Sequence, residues 1–231
     1  MFARDVMTRN VCMVTPDTPV PAIARLLVLH RISAVPVVAA DDRIVGIVSE
    51  GDLMRRPEIG TERRRAWWLE MMSSRADLAG DFVKMNGRSA RDVMTAGVVT
   101  VGEDATVGEI AALLEEKRIK RVPVVRDGRV VGIVSRSNLL QGLAASAGHV
   151  PIKTSGSDRE IRETIHNRLK DQPWSRPIAI NVVVTDSIAH LWGVVDSEEE
   201  RVAIRVLAEG TPGVAGVEDH LNVLKVIAYA V

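Results

Sequence analysis

Ala3-Arg4-Asp5-Val6-Met7-Thr8 recurs intact as Ala90-Arg91-Asp92-Val93-Met94-Thr95. Outward from this pair, residues 3–38 match residues 90–125 at 20 of 36 positions, and residues 43–53 match residues 129–139 at 7 of 11. One residue is lost between the two blocks, where Ala40-Asp41-Asp42 faces Asp127-Gly128. Unrelated segments match at only a few positions, so this part of the chain is a duplication.

Each copy carries the same local signals. Val20, Ile23, Ala24 and Leu27 fall at i, i+3, i+4 and i+7, as do Val107, Ile110, Ala111 and Leu114. That spacing predicts one apolar helix face per copy. Asp17 and Asp104 stand just before these helices as candidate starts, and Thr106 with Glu109 has capping-box spacing. A short apolar run follows, Val35-Pro36-Val37-Val38 or Val122-Pro123-Val124-Val125. After a polar turn comes Ile44-Val45-Gly46-Ile47-Val48 or Val130-Val131-Gly132-Ile133-Val134, which predicts a hairpin of buried strands. Ser49 and Ser135 are then N-caps for a second helix. An extra short strand is expected near Val11–Val14 and Val98–Val101.

Composition limits the function classes. Of 231 residues, 35 are valine and only 3% are aromatic, a composition suited to sheets and tight helix–sheet layers. Lys plus Arg and Asp plus Glu are each 30, and this balance argues against a dedicated nucleic-acid binder. A single cysteine, Cys12, excludes an intrachain disulfide framework and a Cys-rich zinc site, and it reads as a small hydrophobe in a strand. His30, His149, His166, His190 and His220 are scattered without metal-ligand spacing, so no metal is expected. No Gly-x-Ser-x-Gly or Walker loop is present, and the reading is non-enzymatic. No apolar run is long enough to span a membrane, and the N-terminus lacks a signal-peptide core, so a cytoplasmic location is expected.

The Asp-Val-Met-Thr opening, the Ile-x-x-Val-Pro-Val-Val strand and the Gly-Ile-Val-Ser-x-x-Asp exit resemble the cystathionine-beta-synthase (CBS) domain. Two copies resemble a CBS pair, or Bateman module. The resemblance implies an α/β (α+β) fold, dimerisation, and an adenosine-containing regulatory ligand (AMP, ADP, ATP or S-adenosylmethionine) in the cleft between repeats. In such a site a Ser at a helix N-terminus favours phosphate. A carboxylate one turn later can accept from ribose hydroxyls. Ser49 and Asp52 fit this pattern fully, whereas Ser135 is followed by Asn138, a weaker ribose anchor. Arg136 could pair with phosphate. Thr100 matches a threonine that often lines the site, where the first copy has Met13. Further candidates are Ser33, Ala34, Val35 and Pro36, with Lys120, Arg121, Val122 and Pro123, whose small aliphatics beside proline would form an adenine slot.

Outside the repeats two regions remain. The insert at 55–89 holds Arg63-Arg64-Arg65-Ala66-Trp67-Trp68-Leu69-Glu70-Met71-Met72, read as a helix whose Trp and Met side chains pack on the repeats or on a dimer mate, with nucleic-acid or membrane-surface contact as the alternative. A small, polar linker at 144–156 precedes an α-β-β-α-β pattern at 157–231, with strands at Ile178–Val184, Ile188–Val195 and from Val217 to about Val226. Leu191-x-Gly193-x-Val195, Glu200, Ala203, Pro212-Gly213-Val214-x-x-Val217 and Asn222 resemble the BON domain. That resemblance implies phospholipid association, or else an interaction or signal-transmitting role. The expected organisation is therefore repeat 1 at 1–54, insert at 55–89, repeat 2 at 90–143, linker at 144–156 and a BON-like domain at 157–231. The expected function is a ligand-sensing regulatory protein, with a membrane-associated interaction protein as the alternative.

Overall fold

The structure, a computed structural model, describes residues 1–54, 56, 60–61, 75–146, 156–176 and 179–224. The Arg63–Met72 stretch lies outside the described residues, as does most of the 144–156 linker. The chain divides into two compact units. One comprises Val11–Val99 with Asp127–Val130, and the other Met1–Asn10, Thr100–Arg126 and Val131–Val231. The 1–10 segment thus folds with the second copy of the repeat.

In the first copy's unit, helix α2 spans Val20–His30 and buries Val20, Ile23 and Leu27, the stripe that its periodicity predicts. Strands β1 (Ala34–Val38) and β2 (Ile44–Ser49) form the expected antiparallel hairpin, with Val35 opposite Val48 and Val37 opposite Gly46. Pro36 has no N–H to give, but its carbonyl accepts from Val14 N at 3.0 Å, and Val38 N reaches Val14 O at 2.9 Å. Val14 is the bridge residue of the expected extra strand, while Cys12 lies outside any strand, partly buried against this core. Helix α3 (Glu50–Leu53) follows β2, and α4 (Arg75–Asn86) precedes the short α5 (Ala90–Val93). Although α5 belongs by sequence to the second copy's hexapeptide, it closes the first copy's unit. Ala90 N and Arg91 N donate to Thr18 O and Pro16 O, each at 2.9 Å, and Thr95 exchanges two backbone bonds with Ile47.

The second copy's unit repeats this arrangement with the other hexapeptide. Helix α1 (Ala3–Val6) donates from Ala3 N to Ala105 O at 2.7 Å and from Arg4 N to Glu103 O at 3.1 Å, and Thr8 pairs with Ile133. Helix α6 (Val107–Glu116) begins at the Thr106–Glu109 capping box, with Thr106 N donating to Glu109 Oε2 at 2.8 Å. Strands β3 (Val101–Gly102), β4 (Arg121–Arg126) and β5 (Arg129–Ser135) lie in that order in one sheet. Helix α7 (Arg136–Ala145) follows Ser135. Asp17 and Asp104 are not helix caps. Arg91 bonds Asp17 and Arg4 bonds Asp104, so each hexapeptide's arginine holds the acid of the copy it closes.

The same unit contains the C-terminal α-β-β-α-β element: α8 (Gly156–Lys170), β6 (Ile180–Thr185), β7 (Ile188–Val195), α9 (Glu198–Glu209) and β8 (Gly216–Val223). β7 is central, antiparallel to β6 and parallel to β8. Ile161, Ile165 and Leu169 of α8, with Ile204 and Leu207 of α9, cover Val182, Val184, Leu191 and Leu221 on one sheet face. On the other face Asn181 donates to Gln141 Oε1 of α7 at 2.7 Å and to Val6 O at 3.3 Å, and Thr185 donates to Ala145 O at 3.2 Å. Arg162, only 2% exposed, donates to Val182 O, Arg4 O and Met7 O, each at 2.6 Å. One buried guanidinium thereby ties α8, β6 and the 1–10 segment together.

Candidate functional site

Asp52 is the intact acid of the repeat pattern. Its Oδ2 accepts from Ser49 N at 2.8 Å and from Ser49 Oγ at 2.6 Å. Its Oδ1 takes part in no hydrogen bond among the described residues, so a half-buried acceptor remains available at the start of α3. The Ser49 hydroxyl is already donated to Asp52, and Glu50 N is donated to Ser33 O at 3.0 Å. Ser33 leads into β1, of which Ala34, Val35 and Pro36 are buried.

The second copy keeps this geometry but spends it differently. Arg136 N donates to Lys120 O at 3.3 Å, as Glu50 N does to Ser33 O. Asn138 Oδ1 accepts from Ser135 N at 2.8 Å and Ser135 Oγ at 2.7 Å, reproducing the Asp52 pattern. Its amide nitrogen donates to Val6 O and Thr8 Oγ1, both at 3.2 Å, and to Gln141 Oε1 at 3.4 Å. The residue is 4% exposed. Asn138 is therefore a structural clamp between α7 and the 1–10 segment. The exposed Arg136 guanidinium contacts Ile119 O. Arg121 opens β4, Val122 and Pro123 are buried within it, and Thr100 precedes β3 at partial exposure.

Each Gly of the Gly-Ile-Val-Ser run sits beneath a methionine. A Cβ on Gly46 would lie 2.9 Å from Met94 Cγ, and one on Gly132 2.8 Å from Met7 Cγ. Only glycine admits the methionine at that approach. Burial raises the Cys12 thiol pKa, and the side chain is no ready nucleophile.

One constellation had no signal in local spacing. His190 on β7 lies opposite Glu218 on β8, and Trp192 opposite His220. His190 Nδ1 and His220 Nε2 approach the same Glu218 Oε2 at 3.2 and 3.4 Å. Trp192 stacks on His220 with ring centroids 3.9 Å apart. Burial is the main cause lowering the His190 pKa, with His220 adding to it and Glu218 opposing. Only the alternation of parallel strands, His-x-Trp beside Glu-x-His, could have pointed to this grouping.

Residues 3–58 and 90–145 match the CBS domain family, and residues 157–225 match the BON domain family. The chain is 30% identical over 154 residues to an uncharacterised protein of Methanocaldococcus jannaschii, a match covering 62% of this chain and 91% of that one. It is 32% identical over 139 residues to the chloroplastic CBS domain-containing protein CBSX1 of Arabidopsis thaliana, covering 56% of this chain and 57% of the relative. Among solved structures, CBSX2 of Arabidopsis thaliana in complex with AMP is similar at a TM-score of 0.56 and 28% identity, covering 64% of this chain and 99% of that one.

Proposed function

Because the chain belongs to the CBS-domain family, with two CBS repeats followed by a BON domain, we propose that it is a non-catalytic regulatory protein sensing an adenine nucleotide through its CBS repeats. The observation that carries this reading is the half-free carboxylate of Asp52, held by Ser49 at the start of α3. A ribose diol would bond this carboxylate, displacing the Ser49 hydroxyl, which would then be free to donate to phosphate. The AMP complex of the similar plant protein supports this ligand class. In this proposal Ser33, Ala34, Val35 and Pro36 belong to the same site. Asn138 leaves the second copy without an ionised ribose acceptor, so occupancy is one nucleotide per chain, anchored at Asp52. Ser135, Arg136, Thr100, Lys120, Arg121, Val122 and Pro123 serve that copy's weaker half.

The BON domain is the effector in this reading. Its contacts with α7, through Asn181–Gln141 and Thr185–Ala145, give a physical route from the second repeat. Dimerisation through the CBS repeats is part of the proposal. The alternative is phospholipid association through the BON domain. Among the described residues no helix is long and apolar enough to cross a membrane, so such association would be at the surface. Mass spectrometry of nucleotides co-purified with the full chain tests the first reading. An adenosyl compound retained by wild type and lost in Asp52→Asn supports it, and equal retention by both counts against the assigned site. Co-sedimentation of the full chain with anionic vesicles, unaffected by nucleotide, would favour the alternative.

A further inference from the structure

The His190–Glu218–His220 grouping lies on the BON sheet face opposite its hydrophobic core, where β7 and β8 run in parallel register. The tautomer of His190 follows from its neighbours. Thr185 Oγ1 donates its only hydrogen to Ala145 O at 3.2 Å, so toward His190 Nε2, also at 3.2 Å, it can only accept. This bonding places a ring hydrogen on Nε2 and turns Nδ1 toward Glu218. That Nδ1 is buried and stands 3.2 Å from Glu218 Oε2, and among the described residues it makes no hydrogen bond of good geometry. An imidazole nitrogen facing a carboxylate oxygen at this distance is stabilised by a proton or a metal ion between them.

The spacing matches a metal. Ligand atoms about 2.0–2.1 Å from a tetrahedral zinc lie about 3.4 Å from one another. The observed Nδ1–Oε2 and Nε2–Oε2 separations are 3.2 and 3.4 Å, and the three candidate ligand atoms all lie within 4.8 Å of one another. Both rings are held from behind, His190 by Thr185 and His220 by the stacked Trp192, in the manner of outer-shell support around metal ligands. We infer that His190 Nδ1, His220 Nε2 and the Glu218 carboxylate form a three-ligand site for a divalent transition-metal ion of the zinc class. Two imidazoles and one carboxylate favour zinc, cobalt, nickel or copper over magnesium or calcium. The 54% exposed Glu218 side chain gives the ion a path from solvent and leaves room for water as a fourth ligand. Because Ala145 closes α7 of the second repeat, the site sits at the junction between the BON sheet and that repeat, and it does not depend on nucleotide binding.

The test is calorimetric titration of chelator-stripped full-length protein with zinc chloride, alongside Glu218→Gln and His220→Gln. Both replaced side chains are partly exposed, and circular dichroism confirms that the variants remain folded. One zinc per wild-type chain, with affinity at least tenfold weaker in each variant, is the expected result. Absence of zinc binding by wild type, or equal binding by wild type and both variants, overturns the assignment.

Discussion

Asp52 and Asn138 occupy equivalent positions and accept the same two bonds from their serines, yet their remaining side-chain atoms differ. Among the described residues Asp52 Oδ1 makes no hydrogen bond, whereas the amide nitrogen of Asn138 faces Val6 O, Thr8 Oγ1 and Gln141 Oε1. Asn138→Asp therefore does not create a second ribose anchor. It sets a buried carboxylate against the Val6 carbonyl and removes both amide N–H donors, which destabilises the fold by about 3 kcal/mol. Chemical denaturation measures this, and a variant as stable as wild type would refute the clamp role. His166 offers a second test at this scale. Burial first, then Arg162 and Arg9, hold its imidazole well below the ordinary value. Below a pH of about 6.5 the unfolded chain takes up a proton that the folded chain refuses, so stability is level above that pH and falls beneath it. His166→Leu should flatten this part of the stability–pH curve, and an unchanged slope would assign the effect elsewhere.

At the scale of elements, the exchanged hexapeptides dominate. α1 closes the second copy and α5 the first, each placing its methionine over the other copy's glycine. Gly132→Ala should cost about 1–3 kcal/mol through overpacking against Met7. In double-mutant cycles position 132 should couple with Met7→Ala by about 0.5–3 kcal/mol and be additive with Met94→Ala. Coupling to Met94 instead would reverse the exchange. This pairing was not legible in the sequence because the two hexapeptides are identical, so no local pattern says which glycine each methionine covers. The helices were legible because Val20, Ile23 and Leu27 carry a strict stripe, and the hairpins because Val-Pro-Val-Val and Gly-Ile-Val-Ser flank a turn. The roles of Asp17 and Asp104 were not, since a helix-start acid and a salt-bridge acid look alike until Arg91 and Arg4 arrive from elsewhere in the chain.

At the scale of the molecule, the second repeat and the BON domain share one compact unit, joined by Arg162, Asn181 and Thr185 to α1 and α7. Arg162→Met leaves three carbonyls facing an apolar side chain and should lower stability by about 3 kcal/mol. The more exposed Arg9→Ala, which loses one surface pair with Glu163, should change it by less than about 1 kcal/mol. Equal effects in thermal melts would show that Arg162 does not join the two parts. The candidate Ser49–Asp52 site was readable from motif alone. The Asn138 clamp and the His190–Glu218–His220 group were hidden, because their partners meet only through tertiary contacts and strand register. The central claim is that Asp52 anchors an adenine nucleotide, and calorimetric titration of the full chain with AMP tests it most directly. Saturable binding of one AMP per chain, weakened at least tenfold in Asp52→Asn, is the predicted result, and no heat from wild type, or the same affinity in both proteins, would contradict it.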